Sequence, residues 1–327
     1  MWQGMAEKIV RRQKMQDYVV GIDIGGTTIK LAIFPKGEKD ICSWEIKTRA
    51  FNEIEGIWQD ITDAIWAKFD ELGFDHASLK AAGMDLPGPI REDGYIPWCV
   101  NLGMGECYPA EELSKVLGVP VKAGNDANVA ALGEVYYGAA KKYENAALFT
   151  LGTGVGGGII QNGKIIAGNR GVAGEVGHFV VNPDEEETCN CGNKGCLEQY
   201  ASATGMVRTA KRLLAKSDKA SVLRDTEISA KSVCDAAKAG DEIALEAMDI
   251  YGKYMGIAAA HIMCTTDPDA IIIGGGVSKA GQIVIDPVKK YIEKFGHIAQ
   301  NKPEVVLAEL GNDAGTYGAA ALALELL

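Results

Sequence analysis

Three cysteines fall within eight residues, Cys189-Asn190-Cys191-Gly192-Asn193-Lys194-Gly195-Cys196, with His178 shortly before them. Thiolate and imidazole are the ligands zinc prefers, and a structural zinc site takes four of them. The two glycines of the segment let the backbone turn tightly around an ion. Glu175 stands just before the set and Glu198 just after it, so a metal knuckle would hold two carboxylates rigidly at its edges. Disulfide bonding or an iron–sulfur cluster are the other uses of such spacing. The remaining cysteines, Cys42, Cys99, Cys107, Cys234 and Cys264, read as small buried apolar residues.

Glycine loops are the second chemical feature. Tyr18 to Phe34 reads as two strands broken at Gly25-Gly26, with Ile29, Leu31 and Ile33 alternating as in a half-buried strand. The design repeats at Ala146–Leu151, a loop over Gly152 to Gly158, and Ile159–Gln161, closed by the tight-turn pair Asn162-Gly163. Gly152-x-Gly154-x-x-Gly157 spells a dinucleotide fingerprint, with Glu175 placed as a ribose acid. The fingerprint must open a helix, however, and here a strand follows. No Gly-x-x-x-x-Gly-Lys-Ser/Thr loop occurs. Two hairpin loops remain, Asp23-x-Gly25-Gly26-Thr27-Thr28 and Gly152-Thr153-Gly154. Glycine admits a phosphate to the backbone, threonine adds a hydroxyl donor, and Asp23 suits Mg²⁺. A third triple glycine, Gly274-Gly275-Gly276, ends the apolar run Asp269–Ile273.

The elements that must position these groups follow from pattern. Ile54, Ile57, Ile61, Ile65, Phe69 and Leu72 lie at helical spacing behind a capping box at Asn52–Glu55. Asp241 caps a second helix whose core face is Ile243, Met248, Tyr251, Met255, Ile257 and Ile262. Helices alternating with strands give an α/β fold. A chain of 327 residues is long for one core, which predicts two domains. The expected boundaries are an arm at 1–16, a smaller domain of 17–127 completed by 313–327, and a larger domain of 128–312 with the knuckle. The return of the C-terminus rests on Gly315-Thr316-Tyr317-Gly318, which opens an Ala/Leu-rich helix. With 33 basic and 44 acidic residues the net charge is −11, which argues against nonspecific nucleic-acid or anionic-membrane binding. Residues 1–16 lack the apolar stretch of a secretory signal, no apolar run is long enough to span a membrane, and the cysteine usage suits a reducing compartment. Cytoplasm is the expectation.

Val-Gly-Ile-Asp23-Ile-Gly-Gly-Thr is similar to the first phosphate motif of the sugar kinase, heat-shock and actin-like ATPase superfamily. Gly152-Thr153-Gly154 resembles its second phosphate motif, and Ile273-Gly274-Gly275-Gly276 its adenosine motif. Ala173-Gly-Glu175-Val-Gly-His178, followed by the cysteine run and Leu197-Glu198, resembles the signature of the repressor, open-reading-frame and kinase (ROK) family. Gly124-Asn125-Asp126-Ala-Asn, and the whole pattern around Asn101 to Asn128, look most like its bacterial glucokinases. The likeness runs from about Tyr18 to the C-terminus. It implies two actin-like (ribonuclease H-like) α/β domains around a cleft, and ATP-dependent phosphorylation of a hexose, glucose foremost, at the 6-hydroxyl. It assigns Asp126 as general base, where the residue pattern alone favours a helix N-cap. Asn101, Asn125, Glu175, His178 and Glu198 would grip the hexose hydroxyls, with Gly88 near through its backbone. His178 would also bind the structural zinc with Cys189, Cys191 and Cys196. Asp23, Gly25, Gly26, Thr27, Thr28, Thr153, Gly154 and Gly274 to Gly276 would bind ATP and Mg²⁺, and a homodimer or tetramer is implied. The chain departs from the pattern at Met104, where such glucokinases often carry tryptophan, and this leaves the choice of sugar open.

Two rivals differ in class. Sugar-responsive ROK repressors carry an N-terminal helix-turn-helix domain, and the short segment before the first strand is too small for one. An activator ATPase of the superfamily would hold an iron–sulfur cluster in the cysteines, and its colour would distinguish it. His76, His261 and His297 have no chemical context.

Overall fold

The computed structural model describes residues 16–49, 56–99 and 102–327, and the chain divides into two units. The first comprises the chain up to Tyr137 with Ala167–Ala173 and Asp313–Leu327, and the second comprises Gly138–Ile166 and Gly174–Asn312. The expected arm, the capping box at Asn52–Glu55, Ile54 and Asn101 lie outside the described residues.

In the first unit β1 (Tyr18–Ile24) and β2 (Thr28–Pro35) pair antiparallel around Gly25-Gly26. The chain continues through β3 (Cys42–Lys47), α1 (Ile57–Leu72), β4 (Leu79–Leu86), α2 (Pro109–Leu117), β5 (Val121–Asn125) and α3 (Asp126–Tyr136). The sheet order is β3-β2-β1-β4-β5, antiparallel over the first three strands and parallel over β1, β4 and β5. Ile57, Ile61, Ile65 and Phe69 of α1 are fully buried, one helical turn apart. Each such side chain contributes about 1.5–3 kcal/mol by leaving water. Leu72, expected on the same face, is 39% exposed, because α1 stops there and Gly73 takes the left-handed cap at φ 68°.

The other sheet face takes the C-terminal helix, Ala314–Leu324. Its alanines and glycines let it lie directly on the backbone of β1 and β4. A methyl group on Gly21 would meet Thr316 O at 2.1 Å, and one on Gly83 would meet Ala319 O at 1.8 Å. This intimacy explains the Ala-rich sequence: larger side chains would lift the helix off the sheet.

The second unit repeats the plan. β6 (Ala146–Leu151) and β7 (Val155–Gln161) form a hairpin, and the Asn162-Gly163 turn, with both residues at positive φ, leads to β8 (Lys164–Ile165). After α4 (Glu198–Ala201), α5 (Ala203–Lys216), α6 (Ala230–Lys238) and α7 (Glu242–Thr266) come β9 (Ala270–Gly274), α8 (Gln282–Phe295) and β10 (Glu304–Leu307). The order β8-β7-β6-β9-β10 has the same sequence of antiparallel and parallel pairings as β3-β2-β1-β4-β5. Asp241 caps α7 by accepting from Ala244 N at 3.0 Å, as its sequence position predicts.

Two local expectations change. Gly156 to Gly158 lie inside β7 rather than in the loop, which contracts to Gly152-Thr153-Gly154. The reason is close packing: a methyl on Gly157 would stand 2.4 Å from Val176 Cγ2. Cys264 is exposed and Cys42 and Cys107 are half-buried, so only Cys99 and Cys234 of the five fit the reading as buried apolar residues. Among the described residues no helix is long and apolar enough to cross a membrane.

Candidate active site

In the first unit the candidate residues gather at the ends of β1, β4 and β5. Asn125 ends β5 and caps α3, its Oδ1 accepting from Ala127 N at 3.1 Å and Asn128 N at 3.2 Å. Asn125, not Asp126, is therefore the N-cap, and Asp126 is the first residue of the helix. The Asn125 Nδ2 donates to Gly88 O at 3.0 Å and to Asp126 Oδ1 at 2.9 Å. Asp126 Oδ1 also accepts from Ala127 N at 2.8 Å, so one carboxylate oxygen is fixed on a residue that is exposed. Crowding by protein pushes this carboxyl above the ordinary range, against the pull of the Ala127 amide, and Asp23 adds to the rise.

Asp23 sits one strand position from the loop whose Gly26 and Thr27 are exposed. The loop is tied by Gly25 N to Thr28 O at 3.0 Å and by the Thr48 hydroxyl to Gly25 O at 2.7 Å. Burial raises the Asp23 carboxyl, and Lys30 offsets part of the rise. Its in-register neighbour on β4 is Asp85, which is 1% exposed and whose carboxyl is held well above the usual range by burial, then by Asp23 and Asp126. Sequence reasoning missed Asp85. Its signal was a single carboxylate inside the apolar run of β4.

In the second unit the cysteine segment folds as a knuckle. Thr188 and Lys194 bridge, Cys189 N donates to Asn193 O at 2.7 Å, and Gly192 N donates to Cys189 O at 2.9 Å. The ligand atoms of His178, Cys189, Cys191 and Cys196 all lie within 4.8 Å of one another. Cys191 and Cys196 Sγ are 3.5 Å apart, and His178 Nδ1 is 4.0 Å from Cys189 Sγ. A zinc tetrahedron with the usual bond lengths has edges of about 3.4–3.8 Å, so the donor types suit that ion and the wider pairs would draw in around it. Among the described residues every cysteine is free of disulfide bonds.

The knuckle is braced by polar groups that sequence reasoning also missed. Buried Gln199 accepts from Gly195 N at 2.8 Å and Cys196 N at 3.1 Å, and donates to Glu187 O at 3.0 Å. Buried Glu185 accepts from the Tyr200 hydroxyl at 2.6 Å and from Arg208 and Arg212 at 2.9–3.1 Å. These ties, with Arg212 foremost, hold its carboxyl far below the usual range. Such interlocking pairs are visible only when the loop and α5 are side by side.

Glu198 opens α4 and joins the knuckle to the second glycine loop. Its Oε1 accepts from Cys189 Sγ at 2.9 Å, and its Oε2 lies 2.8 Å from the point a methyl on Gly154 would occupy. Thr153, Gly154, Glu198, Ser202, Thr204 and Arg208 line a recess of about 230 Å³. Thr204 fastens the loop by donating to Thr153 O at 2.7 Å. Glu175 is exposed and His178 half-buried, joined by one 3₁₀ turn, Val176–His178. On the far side of the loop, Gly275 packs so closely that a methyl there would stand 2.5 Å from Leu151 O. Beside it an apolar cavity of about 310 Å³ is lined by Gly152, Ala203, Ala230, Cys234, Gly276 and Val277.

The ROK family model matches residues 19–326. A curated glucokinase of Halalkalibacterium halodurans is 39% identical over 308 residues, covering 92% of this chain and 93% of its own. An N-acetyl-D-glucosamine kinase of Histophilus somni is 31% identical over 318 residues, covering 93% and 98%. The crystal structure of a ROK family glucokinase from Streptomyces griseus in complex with glucose and AMPPNP superposes with a TM-score of 0.69 at 33% identity, covering 94% of this chain and 99% of that one. The fold is that of the two-domain actin-like sugar kinases, and the chain belongs to the ROK family.

Proposed function

We propose that this protein catalyses ATP-dependent phosphorylation of a hexose at its 6-hydroxyl, with glucose as the foremost substrate and Asp126 as the general base. The class rests on family membership across nearly the whole chain and on relatives named as glucokinases. The observation that supports Asp126 is its release from capping: Asn125 takes that duty, and one carboxylate oxygen of Asp126 remains free at the start of α3. As the sugar oxygen bonds to the γ-phosphorus, its proton passes to Asp126 and the bond to ADP breaks. A loose transition state asks the base chiefly to orient the hydroxyl.

Asn101, Asn125 and Gly88 in the first unit, and Glu175, His178 and Glu198 in the second, are the proposed hexose ligands. Carboxylate, amide and imidazole groups pair well with hydroxyls that both donate and accept. The loops at Gly25–Thr28 and Thr153–Gly154 are read as phosphate cradles, and Gly274–Gly276 with the adjoining apolar cavity as the adenosine subsite. Asp23 would hold Mg²⁺, which supplies charge neutralisation at the transferred phosphoryl group. His178 and the three cysteines would hold zinc as a structural ion, since four protein ligands leave no open position. Ligation through Nδ1 would leave His178 Nε2 for a sugar hydroxyl. We read the enzyme as cytoplasmic and as a homodimer or tetramer, which light scattering checks.

The second reading is a kinase for another hexose or an N-acetylated amino sugar, favoured by the N-acetyl-D-glucosamine kinase relative and by Met104. Coupled ADP release across glucose, mannose, allose and N-acetylated amino sugars separates the two. Glucose is expected to give the highest kcat/KM; a preference for an N-acetylated sugar would replace the first reading by the second. Absence of sugar-dependent ADP release would overturn both.

A further inference from the structure

We propose that Asp85 joins Asp23 to form a divalent-cation site that loads in the absence of nucleotide. The inference extends the reading of Asp23 as the Mg²⁺ residue and adds a ligand that the family motifs do not supply. Asp23 and Asp85 are in-register partners on the parallel strands β1 and β4, so their side chains share one face of the sheet. Asp85 is 1% exposed, and its Oδ2 has no hydrogen-bond partner. A buried carboxylate oxygen left without a donor is costly, and two such groups side by side demand something positive between them.

The space for it is shaped by Gly315 in the first turn of the C-terminal helix. A methyl group there would stand 2.9 Å from Asp85 Oδ2 and 3.1 Å from Asp23 Oδ2, so both oxygens face the side of the helix where Gly315 carries no side chain. The surrounding charge favours a cation. Asp126 acts on Asp85, and Asp313 and Glu45 act on Asp23. Lys30 answers part of this charge from β2, where it also faces Glu45 on β3. Two converging carboxylate oxygens are what a hard, oxygen-seeking ion of the Mg²⁺ class takes.

The test uses Mn²⁺ as the probe, with the zinc-loaded full-length protein and neither nucleotide nor sugar. Electron paramagnetic resonance of free Mn²⁺ should show one ion bound per chain, displaced by excess Mg²⁺. Asp85→Asn should weaken binding at least tenfold, and Gly315→Ala, whose methyl crowds both oxygens, should do the same. Folding is controlled by thermal melts. Asp85→Asn should melt no lower than wild type without the ion, because its amide can donate to Asp23, and Mg²⁺ should raise the melting temperature of wild type alone. Wild type that binds no Mn²⁺ would overturn the proposal and mean that the two carboxyls share a proton instead. Binding that survives Asp85→Asn would overturn it equally. Neither result touches the kinase reading, which is judged by sugar-dependent ADP release with MgATP.

Discussion

The knuckle of the second unit and the carboxylate group of the first are built in opposite ways. His178 and the three cysteines come from one short stretch of chain, and their geometry is imposed by local turns and by Gln199 and Glu185 nearby. Asp23 and Asp85 come from two strands and Asp126 from the start of α3 just after a third, and only sheet register and the seating of a helix from the far end of the chain bring them together. The first arrangement is a contiguous module whose integrity should depend on its metal. The second is a property of the whole unit, and its members can be changed one at a time without dissolving the fold. Changes to the cysteines should thus show first in stability, and changes at Asp126 first in turnover.

The largest effect expected from this contrast is on stability. Cys196 is fully buried at the knuckle, and structural zinc contributes about 10–16 kcal/mol to isolated zinc-finger peptides. Here the rest of the second unit supports the segment, so removal of the ion or Cys196→Ser should cost less, about 3 kcal/mol or more. For a unit of this size that lowers the melting temperature by roughly 6–12 °C. Calorimetry with zinc analysis checks it, and a chelated protein that melts unchanged would erase the contrast.

Next comes Asp126→Asn, which should leave the melting temperature unaltered or higher while lowering kcat by about 10²–10⁴-fold. Near-wild-type turnover would remove Asp126 from the role of base. Its pH dependence carries a definite sign. The base must be ionised, and crowding raises its carboxyl above the ordinary value of about 3.9. Activity should therefore fade as pH drops through that raised value, placing the acid limb of kcat/KM higher than a solvated aspartate would give.

The same contrast explains what could be read from sequence. The cysteine spacing, the hairpin at Gly25-Gly26 and the Asp241 cap are local patterns, and the knuckle turn, the hairpin and the cap all form where they predict. The repeated hairpins announced two units of one plan. The residue pattern alone favours Asp126 as the cap because Asn125 and Asp126 both suit that position, and only the strand end of β5 decides between them. Asp85 could not be paired with Asp23 without the register of β1 and β4. Gln199 and Glu185 looked like ordinary polar residues, since their partners lie on the far side of a folded loop.

Gln199→Ala sharpens the comparison by breaking the brace while keeping every metal ligand. It strands the amides of Gly195 and Cys196 and the carbonyl of Glu187, groups that cost about 1–3 kcal/mol each when buried without a partner. With partial access to water, a loss of about 2–4 kcal/mol is expected in urea unfolding, together with faster release of zinc to a chelator. Gln199→Glu retains the acceptor for both amides and should recover part of the stability. Equal losses in the two variants would show that the donation to Glu187 O, and not the amide pair, is what matters.

The smallest effect belongs to Glu185. Its carboxylate is 4% exposed and joins Arg208 and Arg212, of which Arg212 is 37% exposed, so solvent screening reduces the ion pair below the value of a fully buried one. Glu185→Ala should cost about 2 kcal/mol near neutral pH, set between the 3–5 kcal/mol of a fully buried broken pair and the fraction of one at a surface. Because folding lowers this carboxyl well below its unfolded value of about 4.3, its contribution is complete above that value. Below it the unfolded chain takes up a proton that the folded chain refuses, and the stabilisation falls with pH toward the much lower folded value. Wild type and variant should therefore differ most near pH 7 and converge in acid. A difference that stayed constant from pH 7 down to about pH 3 would mean that the side chain braces the knuckle by packing, with its charge irrelevant.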